Sequence, residues 1–413
     1  MLDKSTSHKR LQISNFKLNS LLEITQAINE NLTMENLLDR YKKILTESLE
    51  IGRIIIFKLD DKEWKCILSS GFSKPLEDTQ IIEKHLVDVA EITFISALPD
   101  KFSDEVDIII PVIQKDKPVA YVLIGDIDEE LEGLSPIIKH LRFTQTLSYI
   151  IIVAIENIRL YNESLKQVAL KKEMELASRM QSLLIPAHNK LPVNDKAFFK
   201  AFYHPHLEVG GDYYDVIDLS KDEVGFCIAD VSGKGISAAL LMSNFQANLR
   251  ALFTHEIYLP ALIEKLNERV LSSANGEKFI TLFLAKYNYK SKQLFYINAG
   301  HNPPLLYEEN IKKLSDLKSG CVGIGMLDEI PFINQQSIDI SGPTKLLLYT
   351  DGLVELIEGE DVGYGYEFIK TELSNDSPIE LNIKDIIVKQ KIEEGNVAIF
   401  DDISILGIEF SGK

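Results

Sequence analysis

Apolar residues recur at helical spacing between Leu11 and Glu50, in the runs LNSLLEITQAINE and MENLLDRYKKILTESL. This repeat of three to four residues predicts two helices. Runs rich in β-branched residues follow, bounded by Asp, Lys, Gly and Pro, and predict strands in GRIIIFKLDD, EWKCILSSGF, VDIIIPVIQ and PVAYVLIGDID. Helices flanking a sheet predict a compact α+β unit in the first part of the chain.

A second helical region is predicted between Pro136 and Pro186, where the chain contains neither proline nor glycine and is rich in strong helix formers. An apolar stripe, interrupted by Lys172, follows it through Ile151, Ile155, Ile158, Leu165, Val168, Leu176, Met180 and Leu183. The stripe favours a short parallel coiled coil joining two copies of the chain, and so a homodimer. Packing of the stripe against the chain's own domains is the alternative.

From about Lys190 the pattern changes to strands separated by turns and helices. Strands are predicted in EVGFCIAD, FITLFLAKYN, QLFYINAG, TKLLLYTDG and NVAIFDDISILGIEF, and amphipathic helices in GISAALLMSNFQANLRALF and LPALIEKLNERVLSSA. Because strands and helices do not alternate regularly, a sandwich of largely antiparallel sheets covered by helices fits better than a doubly wound sheet.

Composition and charge narrow the possible partners. With 413 residues and 45% hydrophobic content, the chain is long enough for two or three folded units. Its 62 acidic and 44 basic residues give a net charge of -18, which argues against binding nucleic acid or an anionic membrane. Three scattered cysteines indicate a reducing compartment, and no apolar run approaches the length of a membrane span or a secretion signal. We therefore expect a cytoplasmic protein.

Acidic residues stand where apolar strands meet loops. Asp230 follows CIA, Asp351 follows LLLYT, Asp401 lies between two apolar runs, and Asp212 follows a glycine pair. Hard divalent cations such as Mg²⁺ and Mn²⁺ prefer oxygen ligands, and glycines beside the acids permit close backbone approach. Two such ions ~3.5–4 Å apart activate a bridging water and neutralise a leaving oxygen. The pattern therefore predicts a site for hydrolysis of phosphate esters.

Several motifs, in this order, carry a resemblance to a known family: VGGDYYD, ADVSGKGISAALLM, INAGHNPPLL, LLLYTDGLVE and FDDISIL. Together they resemble the PPM-type (protein phosphatase 2C-like) serine/threonine phosphatases, in the bacterial branch typified by stage II sporulation protein E and RsbU. The match covers about Glu175 to Ile408. It includes MELASRMQSLLIPA, which is similar to the short regulatory helix before that branch's catalytic domain. The order of elements from Lys17 to Asn162 resembles a GAF-type sensory domain.

These resemblances imply an α+β protein with two domains joined by a long helix. We expect an N-terminal tail over 1–16, a GAF-like sensory domain over 17–162, a linker or regulatory helix over 163–189, and a phosphatase domain over 190–413. The phosphatase domain would be an αββα sandwich of the PPM fold.

The resemblance also implies the roles of the acids around two Mn²⁺ or Mg²⁺ ions. Asp230 would bridge both ions, and the backbone carbonyl of Val231 would bind one of them. Asp351 and Asp401 would bind the other. Asp212 would bind metal directly or orient its water. Enzymes of this family hydrolyse the phosphate ester by direct attack, without forming a phosphoenzyme.

Other polar residues in the motifs receive different assignments. Asp402 matches a neighbouring position that does not bind metal in the family, and Asp215 and Asp218 are expected to be solvated or structural. His301 either organises its loop or donates a proton to the leaving serine. Lys234 either contacts the substrate phosphate or is a solvated loop lysine. The sequence shows no clear equivalent of the family's phosphate-binding arginine.

The predicted function is metal-dependent hydrolysis of phosphoserine or phosphothreonine on a regulatory protein. The resemblance implies that this protein is an anti-sigma-factor antagonist of the STAS type. The sensory domain would receive an unknown small molecule or protein, unless its role is structural or dimerising. A non-catalytic scaffold and a two-metal phosphodiesterase are the alternatives. Four mutually repelling carboxylates argue against the first, and the net charge argues against the second.

Overall fold

The chain divides into two compact units, Met1–Ala169 and Leu170–Lys413. The computed structural model describes residues 2–30, 32–72, 79–98, 103–125, 136–187, 190–355, 364–392 and 399–411. Within these ranges, no helix is both long enough and apolar enough to cross a membrane. Both units combine sheets with helices, as the sequence predicts.

The first unit contains one antiparallel sheet, with strands β1 (Arg53–Asp60), β2 (Glu63–Ser70), β3 (Thr93–Phe94), β4 (Ile108–Gln114) and β5 (Lys117–Gly125). The strands pair in the order β2-β1-β5-β4-β3. Two-residue turns at 61–62 and 115–116 close two hairpins with positive φ at every position, as turns that match the strand twist require. The four predicted strands are confirmed as β1, β2, β4 and β5, although residues 126–128 of the last run lie outside the described residues.

The helical elements of this unit are α1 (Leu2–Asn29), α2 (Met34–Lys43), π-helical turns at Ile44–Ser48 and Ile82–Leu86, a 3₁₀ turn at Ile95–Ala97, and the first part of α3 (Pro136–Ser182). The two predicted N-terminal helices and the predicted long helix are confirmed. Helix α1 includes most of the segment 1–16 that we assign to a tail. The boundary between the two units falls inside α3 and inside the predicted linker 163–189. The predicted domain limits themselves remain predictions.

The two faces of this sheet are covered differently. Ile54 and Ile56 pack in one apolar cluster with α1, α2 and α3, whereas Ile55 and Phe57 pack in another with the π-helical turn at Ile82–Leu86. This division follows from the alternation of side chains along a strand. Long helices therefore cover one face, and short helical turns cover the other.

The second unit contains two antiparallel sheets of five strands. The first has the order β13-β10-β9-β8-β7, from β7 (Tyr213–Ser220), β8 (Glu223–Val231), β9 (Ile280–Asn288), β10 (Gln293–Ala299) and β13 (Gln336–Asp339). The second has the order β12-β11-β14-β15-β6, from β6 (Ala197–His204), β11 (Leu305–Glu308), β12 (Lys313–Asp316), β14 (Thr344–Tyr349) and β15 (Ile403–Phe410).

The described residues of this unit also include the end of α3, the helices α4 (Ile236–Leu252), α5 (Leu259–Ala274), α6 (Tyr364–Leu373) and α7 (Ile379–Lys389), and 3₁₀ turns at Glu309–Ile311 and Asp351–Leu353. Side chains of β14 alternate between two cores. Leu346 and Leu348 pack in the cluster that contains the first sheet, α4 and α5, while Leu347 and Tyr349 pack in the cluster that contains α6 and α7. The layers are therefore helix, sheet, sheet, helix, which is the predicted αββα sandwich.

The predicted strand NVAIFDDISILGIEF begins later than expected. The structure starts β15 at Ile403, and residues 396–398 of the predicted run lie outside the described residues. The acidic pair Asp401 and Asp402 thus immediately precedes the strand, instead of interrupting it.

Candidate functional site

The first sheet brings two of the predicted acids together. Tyr213 of β7 pairs with Ala229 of β8 in an antiparallel register. Continuing that register by one residue places Asp212, just before β7, beside Asp230 near the end of β8. A side chain from the segment before β7 and one from the end of β8 therefore meet at one end of this sheet, as the sequence predicts.

The second sheet brings the other two acids to its own edge. Beyond the paired ends of β14 and β15, the N–H of Thr350 donates to the carbonyl of Ser404 at 3.1 Å. Asp351 follows Thr350, and Asp401 precedes β15 by two residues. The backbones pass so closely here that a Cβ on Gly352 would clash with the Asp402 carbonyl oxygen and would lie 3.1 Å from the Asp401 carbonyl oxygen. Only glycine fits this approach without a shift of the backbone.

Two hydrogen bonds join the edges of the two sheets. The Thr350 hydroxyl donates to Asp212 Oδ2 at 2.7 Å. The N–H of Gly211 donates to Asp402 at 2.7 Å. Asp402 also accepts, on the side of its own sheet, from the N–H of His206 just after β6, at 2.8 Å. Asp402 is thus buried, and its carboxylate oxygens accept hydrogen bonds from backbone N–H groups. This agrees with its assignment as a residue that does not bind metal. All four predicted acids stand around this junction.

Burial and mutual repulsion raise the pKa values of three of these acids. Burial raises the pKa of Asp212 well above its ordinary value, and the charge of Asp230 raises it further. Burial, followed by the charges of Asp351 and Asp401, raises the pKa of Asp230 to about 7. Burial also raises the pKa of Asp351, with a contribution from Asp401. Perturbed carboxylates that cluster in this way are typical of functional sites.

The oxygen donors at this junction are of the chemical type that hard divalent cations prefer. Four carboxylates converge, and the Val231 carbonyl oxygen lies 3.0 Å from where a Cβ on Gly211 would stand, so it faces the segment that carries Asp212. Oxygen donors of this type suit Mg²⁺ and Mn²⁺. In the described part of the chain, no three His, Cys, Asp or Glu side chains are already arranged to hold a metal ion. The assignment of ligands is therefore a proposal.

Lys234 lies at this junction and is not simply solvated. Its ammonium forms an ion pair with Asp401 Oδ2 at 2.8 Å and donates to the carbonyl of Phe400. The Asp401 carboxylate raises the pKa of Lys234, and the charge of Lys234 in turn opposes the rise in the pKa of Asp351. A contact with substrate phosphate remains a prediction.

His301 is buried beneath the junction. Its Nδ1 hydrogen-bonds with the hydroxyl of Thr281, which pairs with Asp230 across β8 and β9, at 2.8 Å. Burial lowers the pKa of His301 to about 4. The side chain of Asn298 holds the same loop, because it accepts from the N–H of His301 and donates to its carbonyl. These contacts favour the loop-organising role over proton donation to a leaving group.

Two acids in VGGDYYDVIDL lie away from the junction. Asp215 is fully buried and accepts two hydrogen bonds from Arg250, at 2.7 and 2.9 Å, and one from the hydroxyl of Tyr213. Asp218 is exposed. Asp215 is therefore structural and Asp218 is solvated, within the two roles that the sequence analysis gives them.

Gln181, near the end of α3, is a site residue that the sequence analysis does not single out. Its side chain is buried and forms two hydrogen bonds with Gly210, donating to the carbonyl at 2.6 Å and accepting from the N–H at 3.1 Å. Gly210 is two residues before Asp212. The end of α3 therefore holds the backbone that carries one of the four acids.

Comparisons with known proteins find sequence matches to the second unit. The family model described as Stage II sporulation protein E (SpoIIE) matches residues 220–411. Phosphoserine phosphatase RsbU of Bacillus subtilis (strain 168) is 30% identical over 189 residues, which make up 46% of this chain and 55% of RsbU. Phosphoserine phosphatase RsbP of the same strain is 27% identical over 191 residues, 45% of this chain and 46% of RsbP. The chain thus spans about half the length of these curated relatives.

The fold has a counterpart among solved structures. The SiaA-PP2C domain of Pseudomonas aeruginosa is 19% identical and matches with a TM-score of 0.51, over 60% of this chain and 99% of that domain. Identity at this level establishes likeness of fold only. Together, the comparisons show that residues 220–411 are similar in sequence to SpoIIE-type phosphatases, with RsbU and RsbP among the relatives, and that the chain is similar in fold to a PP2C domain over 60% of its length.

Proposed function

We propose that this chain is a metal-dependent protein phosphatase that hydrolyses phosphoserine or phosphothreonine on a regulatory protein. The observation that supports it most directly is the hydrogen bond from Thr350 to Asp212, because it joins the acidic edges of two different sheets. The raised pKa values of Asp212, Asp230 and Asp351 add to this support, since buried like charges need a cation between them. RsbU and RsbP carry the name phosphoserine phosphatase.

The cofactor in this proposal is a pair of Mn²⁺ or Mg²⁺ ions. Asp230 would hold both ions, the Val231 carbonyl would hold one of them, Asp351 and Asp401 would hold the other, and Asp212 would bind metal or orient its water. Such ions supply an activated water as nucleophile and positive charge for the leaving oxygen. Both metals accept these oxygen donors, so the donor set alone does not choose between them.

The chain's own contribution is to fix the carboxylates before the substrate arrives. The Thr350 hydroxyl orients Asp212, and Asp402 holds the backbone at Gly211 through a hydrogen bond. Close packing at Gly352 keeps the end of β14 against the segment before β15. Such fixed geometry lowers the reorganisation that the transition state requires.

Regulation by the first unit is the second part of the proposal. Its five-stranded antiparallel sheet, with helices on one face, supports a GAF-like sensory domain that receives a small molecule or a protein. Helix α3 begins in the first unit and ends in the second, at Ser182 beside Gln181. A change in this helix would reach Asp212 through Gly210. The expected protein substrate is a STAS-type anti-sigma-factor antagonist.

The test is a phosphatase assay with a phosphoserine peptide and saturating Mn²⁺. We expect Asp230→Asn and Asp351→Asn each to lower turnover about 10²-fold or more, since loss of even an indirect metal contact costs 10- to 100-fold. Asp218→Asn is the matched control, because Asp218 is an exposed acid on the same sheet. Circular dichroism checks that every variant is folded.

The outcomes separate the competing functions. Wild-type turnover by either ligand variant would refute the assignment of ligands. A folded wild-type protein with no turnover would favour the non-catalytic scaffold. Faster cleavage of a phosphodiester than of the phosphopeptide would favour the phosphodiesterase.

A further inference from the structure

Lys234 occupies an unusual position in the turn between β8 and α4. It lies between Gly233 and Gly235, which have φ values of 77° and 78°. Its side chain is 43% exposed, yet the ammonium reaches across to Asp401 Oδ2 at 2.8 Å and to the carbonyl of Phe400. A lysine in the turn that follows β8, the strand that ends in Asp230 and Val231, therefore holds an acid just before β15 of the other sheet.

The contact leaves Asp401 with both oxygens engaged. Oδ1 accepts from the N–H of Asp402 at 2.9 Å, and Oδ2 faces the Lys234 ammonium. A divalent ion and an ammonium repel each other when both approach one carboxylate. A metal ion that binds Asp401 must therefore compete with Lys234.

The structure of the turn allows the Lys234 side chain to move away from Asp401. Its first part is fixed, because Ser232 exchanges hydrogen bonds with Phe279 and its carbonyl accepts from Lys278 at 2.7 Å. Beyond it, a Cβ on Gly235 would meet nothing within 4 Å. Glycine backbones on both sides of Lys234 lower the barrier to a change of conformation.

We infer that Lys234 is a built-in competitor for metal at Asp401: its ammonium pairs with the carboxylate while no ion is bound, and metal binding displaces it. The inference rests on the proposed metal site. It makes Lys234 a positioning residue that sets the metal concentration at which the site fills. It also couples metal binding to the conformation of the turn from Gly233 to Gly235.

The test measures Mn²⁺ affinity of the full chain at one pH, by electron paramagnetic resonance of the free ion. Lys234→Met keeps the length of the side chain and removes its charge. We expect it to bind Mn²⁺ about fivefold more tightly, which is the scale set by a half-exposed ion pair. Lys234→Arg keeps the charge and is expected to restore wild-type affinity. Lys221→Met, at the exposed turn between β7 and β8, is the control and is expected to change nothing.

Two results would overturn the inference. Affinity of Lys234→Met within twofold of wild type would show that no competition exists. Weaker binding by this variant would show that Lys234 only supports the fold around Asp401. If the wild-type chain itself neither binds Mn²⁺ nor hydrolyses the phosphopeptide, the proposed function fails instead, so the two failures are distinguishable.

Discussion

At the scale of single residues, the charge of Asp212 is destabilised by its surroundings, and a hydrogen bond partly compensates for this. It is buried beside Asp230, so burial and repulsion both disfavour its charge. The Thr350 hydroxyl, which donates to Asp212 and accepts from the N–H of Ser404 at 2.9 Å, partly compensates. A threonine here therefore links the acid to the neighbouring sheet, which a sequence pattern alone does not reveal.

Thr350→Val should lower turnover about ten- to a hundredfold. Valine keeps the shape but removes the donor, and a hydrogen bond to a charged group contributes about 1.5–3 kcal/mol. Turnover of the phosphopeptide at saturating Mn²⁺ measures the effect. Thr350→Ser keeps the hydroxyl and should recover most of the activity. Equal losses in both variants would mean that the methyl group, and not the hydroxyl, is what the site requires.

The raised pKa of Asp230 predicts how the stability of the metal-free protein depends on pH. The folded protein keeps the Asp230 proton up to about pH 7, whereas an unfolded chain releases it near pH 4. Unfolding therefore releases a proton between these values, and the free energy of unfolding falls as the pH rises through this window.

The measurement is urea unfolding of the metal-free protein at pH 5 and pH 8. We expect Asp230→Asn to reduce the fall in stability between these values by an amount on the order of 2 kcal/mol, because asparagine does not titrate. The same variant should also be more stable than wild type at pH 8. An identical fall in both proteins would place the titration elsewhere.

Asp230, Asp351 and Asp401 were identifiable because each adjoins an apolar run, and Asp212 because it follows a glycine pair, and both patterns are local in sequence. Their helpers were not. Thr350 and Gln181 contact residues 138 and 29 positions away, so their roles depend on tertiary structure. Arg250 likewise explains why Asp215 is buried, although the two are 35 positions apart.

At the scale of elements, dependence on tertiary contacts likewise limits which strands can be predicted from the sequence. Long apolar runs such as those of β8, β9 and β15 are buried on both faces and were correctly predicted. Strand β7 was not, because its charged residues weaken the apolar pattern and one of them needs Arg250 to be buried. Strands β11, β12 and β13 have only four residues each, too few to show alternation.

The end of α3 connects an element to the site. Because Gln181 pairs with both backbone groups of Gly210, it satisfies polar atoms that would otherwise be buried without partners. A Cβ at Gly210 would come within 2.6 Å of the Tyr203 hydroxyl, so the segment has little room to adjust. Helix position and the backbone before Asp212 are thereby coupled.

Gln181→Ala should lower turnover about tenfold and raise the Mn²⁺ concentration needed for half-maximal activity. The variant loses two hydrogen bonds that hold Gly210, each with a net contribution of about 1 kcal/mol, and so loosens Asp212. The assay is the phosphopeptide turnover measured over a range of Mn²⁺. Gln167→Ala, at an exposed position of the same helix, is the control. No difference between the two variants would disconnect the helix from the site.

At the scale of the whole molecule, α3 is the element that the two units share. Its 47 residues correspond to ~70 Å of helix at 1.5 Å per residue. Ile151 and Ile155 are buried in the first unit and Ile158 is partly buried there, whereas the later residues of the stripe are exposed: Leu165, Val168, Leu176 and Met180 on α3, Met180 by 71%, and Leu183 just after its end, by 82%. Exposed apolar residues that recur along one helix are a common sign of an interface.

We predict that this stripe joins two copies of the chain and that charge on it separates them. Because Glu at a coiled-coil core position is costly to bury, the double variant Leu176→Glu with Met180→Glu should be monomeric. Sedimentation equilibrium at micromolar concentration measures the mass, which should be twice the monomer value for wild type. Gln167→Glu adds a negative charge about two and a half turns from Leu176, on the opposite side of the helix, and should leave the dimer intact. A monomeric wild-type chain would mean that the stripe is covered in another way.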